Sequence, residues 1–135
     1  GGNVNFATFS PDDRLVVTAS DDHLGRVFNV QWGRCVRILE GHSKSLNMAT
    51  FSMDSEFVAS ASQDATARIW DDSGVEVFKF DHEWSVNSAS FSLDGHLLVT
   101  ASDDRTAKVW DLSTGDCTVT LTGHMAPIIW AFFGG

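Results

Sequence analysis

One segment of this chain recurs three times, and a recurring segment constrains the fold more than any other feature of a sequence. Its clearest copy is residues 58–71, Val-Ala-Ser-Ala-Ser-Gln-Asp-Ala-Thr-Ala-Arg-Ile-Trp-Asp, in which two short runs of small and β-branched residues flank an Asp and end in Trp-Asp. A close copy occupies residues 99–111, and a weaker one occupies residues 17–29, where Phe28 and Asn29 stand in place of the Trp-Asp pair. The chain is therefore built from repeated structural units.

The spacing of the repeats separates their constant parts from a variable one. Phe9, Phe51 and Phe91 correspond to one another and lie 42 and 40 residues apart. Each Phe is followed after 19 residues by the aromatic residue that closes the recurring segment, whereas the interval from that aromatic residue to the next His is 14, 12 and 14 residues. Since loops tolerate length changes that packed strands do not, this interval contains a surface loop.

Turn residues divide each unit into four short strands. No window shows a sustained apolar period of 3.6 residues, so the sequence predicts an all-β fold with essentially no helix. The expected strands are 4–9, 14–20, 25–30 and 35–39 in the first unit, 46–51, 56–62, 66–71 and 75–80 in the second, and 86–91, 96–102, 106–111 and 117–122 in the third.

Charge and hydropathy narrow the class of partner. The 135 residues suffice for one small domain, and their formal net charge is -9. This charge argues against nucleic acid as a partner and mildly favours a basic one, although many proteins are simply acidic. Nothing approaches 18 consecutive apolar residues, so we expect no membrane-spanning helix and no membrane partner.

The two cysteines, Cys35 and Cys117, occupy matching places in the first and third units. Equivalent positions in non-adjacent repeats should lie too far apart for a disulfide. Two free thiols are typical of a reducing compartment, and no secretory signal opens the sequence. We therefore expect an intracellular protein, in the cytoplasm.

Four-stranded units of about 40 residues with Gly-His early and Trp-Asp late resemble the repeats of the WD-repeat (tryptophan–aspartate) β-propeller family. The resemblance covers nearly the whole chain. It implies four-stranded antiparallel blades, here three blades plus one strand of a fourth at 128–133, in an incomplete ring. The expected repeats are 3–42, 43–82 and 83–124, with 125–135 opening the fourth unit. The pairs that carry the resemblance are Gly41-His42, the variant Asp81-His82, Gly123-His124, Trp70-Asp71 and Trp110-Asp111.

The resemblance also implies a buried, hydrogen-bonded tetrad in each blade. An indole only donates, a hydroxyl and a neutral imidazole both donate and accept, and a carboxylate only accepts, so a chain in that order satisfies every buried polar group. The first unit keeps only part of the set, and its His would fall one position before Gly1. The tetrads are His42, Ser60, Asp64 and Trp70 in the second unit, His82, Thr100, Asp104 and Trp110 in the third, and the partial set Thr18, Asp22 and Phe28 in the first.

Ser60, His42 and Asp64 superficially suggest a hydrolase triad. The same set recurs in the third unit, however, whereas a catalytic site occurs once, and no Gly-x-Ser-x-Gly elbow supports a nucleophile. The five histidines show no metal-ligand spacing and no Cys-x-x-Cys is present, so we expect neither a metal nor a cofactor. The sequence predicts a non-enzymatic protein.

A partner-binding face follows from the resemblance. It would comprise the residue before each tetrad Asp and the residues that flank the first apolar residue of each innermost strand. Trp84 lies one residue further out, either as an exposed anchor or packed between blades. The set is polar and acidic, which suits a peptide or protein partner with hydrogen-bond donors or basic side chains. The positions are Asn3, Asn5, Asp21, Ser45, Asn47, Gln63, Trp84, Ser85, Asn87 and Asp103.

Three blades and one strand cannot close a ring, because propellers have 4 to 8 blades. An open stack would leave apolar sheet faces exposed. Either the chain is a piece of a longer propeller, or copies assemble head to tail into a larger ring. We expect a protein–protein interaction scaffold. The alternatives are an architectural segment of a larger complex or oligomeric ring, and a propeller-based enzyme, which would need an unrepeated cluster of ionisable residues that the sequence does not show.

Overall fold

Twelve strands in three separate antiparallel sheets make up the chain in a computed structural model, which describes residues 2–122. Each sheet is a meander of four consecutive strands. The sheets are named blade 1 (β1–β4), blade 2 (β5–β8) and blade 3 (β9–β12). The strands are β1 (Val4–Phe9), β2 (Leu15–Ser20), β3 (Gly25–Asn29), β4 (Arg34–Leu39), β5 (Leu46–Phe51), β6 (Val58–Ser62), β7 (Thr66–Trp70), β8 (Glu76–Asp81), β9 (Val86–Phe91), β10 (Leu97–Ser102), β11 (Ala107–Asp111) and β12 (Cys117–Leu121).

The predicted all-β architecture of four-stranded blades is confirmed, and no helix occurs among residues 2–122. The strand bounds differ from the predicted ones by at most two residues. The largest difference is at β6, which begins at Val58 rather than at residue 56. The backbone N–H groups of Glu56 and Phe57 donate to the side chains of Asp54 and Ser52, so both residues belong to the preceding turn. The strand predicted at 128–133 lies outside the described residues.

A Ser-x-Asp turn joins the first two strands of every blade. In blade 2 the Ser52 hydroxyl accepts the Phe57 N–H at 3.0 Å and donates to Asp54, which in turn accepts the Glu56 N–H. Ser10 and Ser92 make the corresponding bonds in blades 1 and 3. One residue of each turn has a positive φ, and only blade 3 places a glycine there, Gly95 at 76°.

Two apolar layers hold the three blades face to face. The first lies between blades 1 and 2 and contains Val17, Val27, Leu39, Leu46 and Trp70. The second lies between blades 2 and 3 and is built mainly from residues of β6, β7 and β9, together with Phe80 and Trp110. Both faces of blade 2 are therefore buried, which explains why β6 is buried at every position.

The other face of blade 1 has no sheet packed against it within residues 2–122. Val4, Phe9 and Ile38 are 60%, 58% and 55% exposed. No helix in the described part of the chain is long and apolar enough to cross a membrane.

Candidate functional site

The four predicted tetrad residues of blade 2 lie together in one buried chain of hydrogen bonds. The Trp70 Nε1–H donates to the Ser60 Oγ at 2.9 Å, and the Ser60 Oγ lies 2.7 Å from Nε2 of His42. The other ring nitrogen of His42, Nδ1, lies 2.8 Å from Oδ2 of Asp64. Since the indole can only donate, the Ser60 hydroxyl donates to Nε2, and Nδ1–H of a neutral imidazole donates to the carboxylate.

Blade 3 repeats this geometry with Thr100 in place of the serine. The Trp110 Nε1–H donates to Thr100 Oγ1 at 2.9 Å, and Thr100 Oγ1 lies 2.6 Å from Nε2 of His82. The His82 Nδ1 lies 2.8 Å from Oδ2 of Asp104. Both hydroxyl residues, Ser60 and Thr100, are 0% exposed. These residues therefore share only their types with a hydrolase triad. Each hydroxyl is buried in the core and is already hydrogen-bonded to both an imidazole and an indole.

Burial and hydrogen bonding set the charge of each tetrad. Burial lowers the pKa of His42 and His82, although the neighbouring carboxylates act in the opposite direction. Burial by itself would raise the pKa of Asp64 and Asp104, but hydrogen bonds from Thr66 and Thr106 and from the two imidazoles outweigh it and lower both values to about 2. At neutral pH each tetrad thus holds a neutral imidazole and an ionised carboxylate.

A fifth side chain, which the sequence reasoning missed, braces each carboxylate. Thr66 Oγ1 donates to Oδ1 of Asp64 at 2.7 Å, and Thr106 Oγ1 donates to Oδ1 of Asp104 at 2.5 Å. Each threonine stands two residues after its Asp in both complete blades, while Leu24 stands there in blade 1. That difference between complete and incomplete repeats was the signal that could have identified them.

Close packing explains why a glycine precedes His42. A Cβ at Gly41 would lie 2.9 Å from Nη1 of Arg68 and 3.2 Å from Cη2 of Trp70. The Arg68 end could move, but the Trp70 ring is fixed by its bond to Ser60. Glycine at this position therefore lets the backbone pass directly over the buried indole.

In blade 1 an arginine pairs with the carboxylate of the partial set. Arg26 makes two bonds to Asp22, with Nη1 at 3.2 Å from Oδ1 and Nη2 at 2.6 Å from Oδ2. The hydrogen bond from Arg26 is the main reason why the pKa of Asp22 falls to about 2. Thr18 lies opposite Arg26 on the adjacent strand, and Phe28 is half-buried without an indole donor. Asp22 of the partial set thus forms an ion pair with Arg26 near the surface instead of joining a buried chain.

The predicted face residues collect at one end of the sheets. We call this the polar end of the blades; it comprises Asn5, Asp21, Ser45, Asn47, Gln63, Ser85, Asn87 and Asp103. Several of these residues join neighbouring blades. Asp21 Oδ1 accepts from Asn5 Nδ2 at 2.7 Å and from Ser45 Oγ of blade 2 at 2.6 Å. Asn5 Nδ2 also donates to the Leu46 carbonyl at 2.9 Å.

The second pair of blades has a related connection. Asn47 Nδ2 donates to the Val86 carbonyl at 2.8 Å and to Ser85 Oγ at 3.1 Å. Within blade 3, Asn87 Nδ2 donates to Asp103 Oδ1 at 2.8 Å. Gln63 occupies the position of Asp21 and Asp103 in blade 2, and its side chain is exposed. Asn3, the outermost residue of the predicted set, is exposed beside β1, and its carbonyl accepts the Asp21 N–H at 2.8 Å.

Two exposed tryptophans lie at opposite ends of the sheets. Trp84 is 63% exposed and lies in the connection between β8 and β9, at the polar end. Trp32 is 70% exposed and lies in the turn between β3 and β4, at the other end. Of the two alternatives for Trp84, the structure has the exposed one, while its role as a binding anchor stays a prediction. No group of three or more His, Cys, Asp or Glu side chains with metal-site geometry occurs among residues 2–122.

Removal of one tetrad imidazole should destabilise the protein. His82→Ala removes one buried hydrogen bond from Asp104 and one from Thr100, so we expect a loss of about 1–3 kcal/mol in the free energy of unfolding. Urea unfolding followed by circular dichroism measures it. His96→Ala is the matched control, because His96 is exposed and its hydrogen bonds in the turn come from backbone groups, which alanine keeps; that change should cost less than about 0.5 kcal/mol. Equal losses in the two variants would contradict the buried tetrad.

Stability should fall as the solution becomes acidic. The folded-state pKa of His42 and His82 lies below that of an unfolded histidine, about 6.5, so the unfolded chain binds protons first as the pH falls below that value. Asp64 and Asp104 act in the same direction between about pH 4 and pH 2, because their folded pKa values of about 2 lie below the unfolded value. Urea midpoints measured from pH 8 to pH 3 should decrease steadily. A midpoint that rose between pH 7 and pH 5 would show that the imidazoles are charged in the folded state.

A comparison with protein-family models agrees with this geometry. The model of the WD domain, G-beta repeat, matches three times, at residues 1–29, 33–71 and 74–111. The matches end at Asn29, Asp71 and Asp111, each directly after the aromatic residue of a third strand. WD40 domains are in general scaffolds for protein–protein interaction and typically have no enzymatic activity. With most of its length matched and three blades of the expected topology, this chain belongs to the WD40 repeat family.

Proposed function

We propose that this chain is a non-catalytic protein–protein interaction scaffold whose polar end binds a peptide or protein partner with basic side chains. The observation that carries the proposal is the exposure of Trp84, 63%, on a rigidly held backbone. A partner of this kind would pack an apolar or cationic side chain on the indole and direct its donors at the neighbouring amides and carboxylates.

The backbone beneath Trp84 is fixed by blade 3. The Ser102 hydroxyl donates to the Trp84 carbonyl at 3.0 Å and to the Ser85 carbonyl at 2.9 Å. The Asp103 N–H also donates to the Ser85 carbonyl, at 2.9 Å. An aromatic side chain on such a support loses little conformational entropy when a partner covers it, which is a reason why tryptophan dominates many binding interfaces.

The charge around Trp84 favours a basic partner. Asp103 lies at the same end of blade 3, and the adjacent Glu83 is exposed. Asp21 adds a carboxylate on blade 1, and hydrogen bonds from Ser45 and then Asn5 lower its pKa, so it stays ionised. With a net charge of -9, the protein would attract a cationic segment over a longer range as well.

The thiols support an intracellular location. Cys35 and Cys117 are both free and exposed, on β4 and β12, the last strands of blades 1 and 3. Accessible unpaired thiols persist in reducing compartments, which is the basis for proposing the cytoplasm.

A second candidate function is architectural, and the exposed face of blade 1 favours it. Val4, Phe9 and Ile38 present an apolar surface of the kind that packs between blades elsewhere in this structure. Such a face suits a further sheet, supplied either by a longer propeller or by a second copy that joins head to tail in an oligomeric ring.

Trp84→Ala should weaken partner binding at least tenfold. The loss follows from removing an exposed aromatic anchor at the polar end, since hot-spot residues contribute about 2 kcal/mol or more. Fluorescence polarisation with a panel of labelled Lys- and Arg-rich peptides measures the dissociation constants. Trp32→Ala is the matched control, because it removes an equally exposed indole at the other end of the sheets. If both variants bind as the parent chain does, the polar end is not the binding face.

The architectural proposal predicts self-association of the isolated chain. Light scattering at micromolar concentration should give a mass above the 14.7 kDa of one copy, because association buries the apolar face of blade 1 away from water. Ile38→Lys should restore a single copy, whereas Met53→Lys, at a similarly exposed residue in a blade 2 turn, should not. A well-folded parent chain of one-copy mass would contradict assembly through this face.

A further inference from the structure

An apolar groove opens between blades 2 and 3, at the end of the sheets opposite the polar end. Its volume is about 230 Å³, and Asp54, Asp94 and His96 are among the residues that line it. Both carboxylates belong to the Ser-x-Asp turns, which lie at the other end of β6 and β10 from Gln63 and Asp103. We call this site the inter-blade groove. Its apolar walls are Phe57, Ile69, Val77, Phe78, Phe91 and Leu112.

The walls of the groove are anchored in the core. The Phe78 ring stacks on Phe80, with centroids 5.5 Å apart and planes at 16°, and Phe80 stacks on Trp110 at 4.5 Å and 23°. Trp110 is held by its bond to Thr100. The groove is therefore preformed, and an occupant would not have to pay for ordering its walls.

The groove is not a general result of stacking two such blades, because the matched site between blades 1 and 2 has different chemistry. Arg37 lies opposite Val27 in blade 1 as Phe78 lies opposite Ile69 in blade 2. A turn glycine of the following blade approaches each residue: a Cβ at Gly74 would lie 3.7 Å from Cβ of Arg37, and one at Gly115 would lie 3.5 Å from Cε1 of Phe78.

A second wall residue differs in the same way. Asp72, two residues after Trp70, corresponds to Leu112, two residues after Trp110. Two apolar walls of the groove are thus charged residues in the matched site. Arg37 is itself half-buried, and its Nη1 is buried without a hydrogen-bond partner in the described part of the chain.

The volume selects the class of occupant. Pockets that enclose small molecules usually have about 300–1,000 Å³, and this groove is smaller. It has room for one or two side chains, which is how extended peptides anchor on a folded surface.

The carboxylates select the charge of that peptide. Every hydrogen bond found for Asp54 and Asp94 among residues 2–122 ends on Oδ1. The Ser52 hydroxyl and the backbone N–H of His96 are the main causes that lower the respective pKa values, so both groups are ionised at neutral pH. Their second oxygens take part in none of these bonds, so each can accept a hydrogen bond from a cation beside an apolar anchor.

We propose that the inter-blade groove is a second peptide-binding site, which takes one large apolar side chain of a partner between blades 2 and 3 and a flanking Arg or Lys beside Asp54 and Asp94. This site is independent of the polar end and does not require the binding proposed there.

The test uses the full chain, labelled with ¹⁵N, and a short capped peptide, Gly-Ser-Arg-Phe-Arg-Ser-Gly. Saturable shifts are expected at the backbone amides of Phe57, Gly95 and Leu112, with a dissociation constant below about 5 mM. Peptides with alanine in place of the phenylalanine, or with glutamate in place of both arginines, should bind at least about fivefold more weakly.

Two variants copy residues that the matched site already tolerates. Phe78→Arg introduces the residue found at Arg37, and Leu112→Asp introduces the residue found at Asp72. Each should weaken binding at least about fivefold while the thermal unfolding midpoint shows a folded protein. Leu112→Asp is decisive, because it adds an attractive charge and removes only an apolar wall. Trp32→Ala, which removes an exposed indole of blade 1 outside the groove, should leave the affinity unchanged.

Several results would overturn the proposal. They are the absence of saturable shifts up to about 5 mM peptide, shifts confined to the polar end, equal binding of the glutamate peptide, and tighter binding to Leu112→Asp. The last would show that the peptide is held by charge alone. If Phe78→Arg fails to fold, the comparison of Leu112→Asp with the parent chain decides the question by itself.

Discussion

Every group in a buried chain of four polar side chains must have a hydrogen-bond partner, and the rest of the structure depends on that condition. The carboxylate accepts, the imidazole and hydroxyl relay, and the indole donates, so no member is left without a partner in the core. The indole so held is also the largest apolar group of its layer. Trp70 packs between blades 1 and 2, and Trp110 packs between blades 2 and 3. Blade 1 has Phe28 instead, and no sheet packs on its corresponding face within residues 2–122.

Much of this could be predicted from the sequence because it is internal to a repeat. The period, the four strands and the grouping of His42, Ser60, Asp64 and Trp70 all follow from positions that recur at constant spacing. The bracing threonines Thr66 and Thr106 were missed, although they recur too, because a hydroxyl two residues after an Asp is a common turn feature. Some strands begin one or two residues later than the sequence predicts, because turn side chains accept the N–H groups of the residues expected to open the strand.

The contacts between repeats were much harder to foresee. Asn5, Asp21 and Ser45 were predicted to share a face, but not to bond one another across blades. The blade-to-blade angle decides which of these side chains meet, and that angle arises from core packing, which no single repeat encodes. Differences between repeats carry the remaining information. Lys44 and Trp84 correspond, as do Arg37 and Phe78, and each exchange changes the chemistry of a surface while the strands beneath it stay the same.

The hydrogen bonds at the polar end have a mechanical consequence. Asp21 holds Ser45 of the next blade, and Asn47 holds the backbone of blade 3, so the side chains that a partner would contact are also the joints between sheets. A ligand that drew the Asp21 carboxylate toward itself would loosen one joint, and a ligand that bridged Ser45 and Asp21 would tighten it. Ligand binding at this end would then change the angle between blades slightly. The displacement would be larger at the outer strands β4 and β12 than at the inner strands β1 and β9, because the outer strands lie farther from the hydrogen bonds that join the blades.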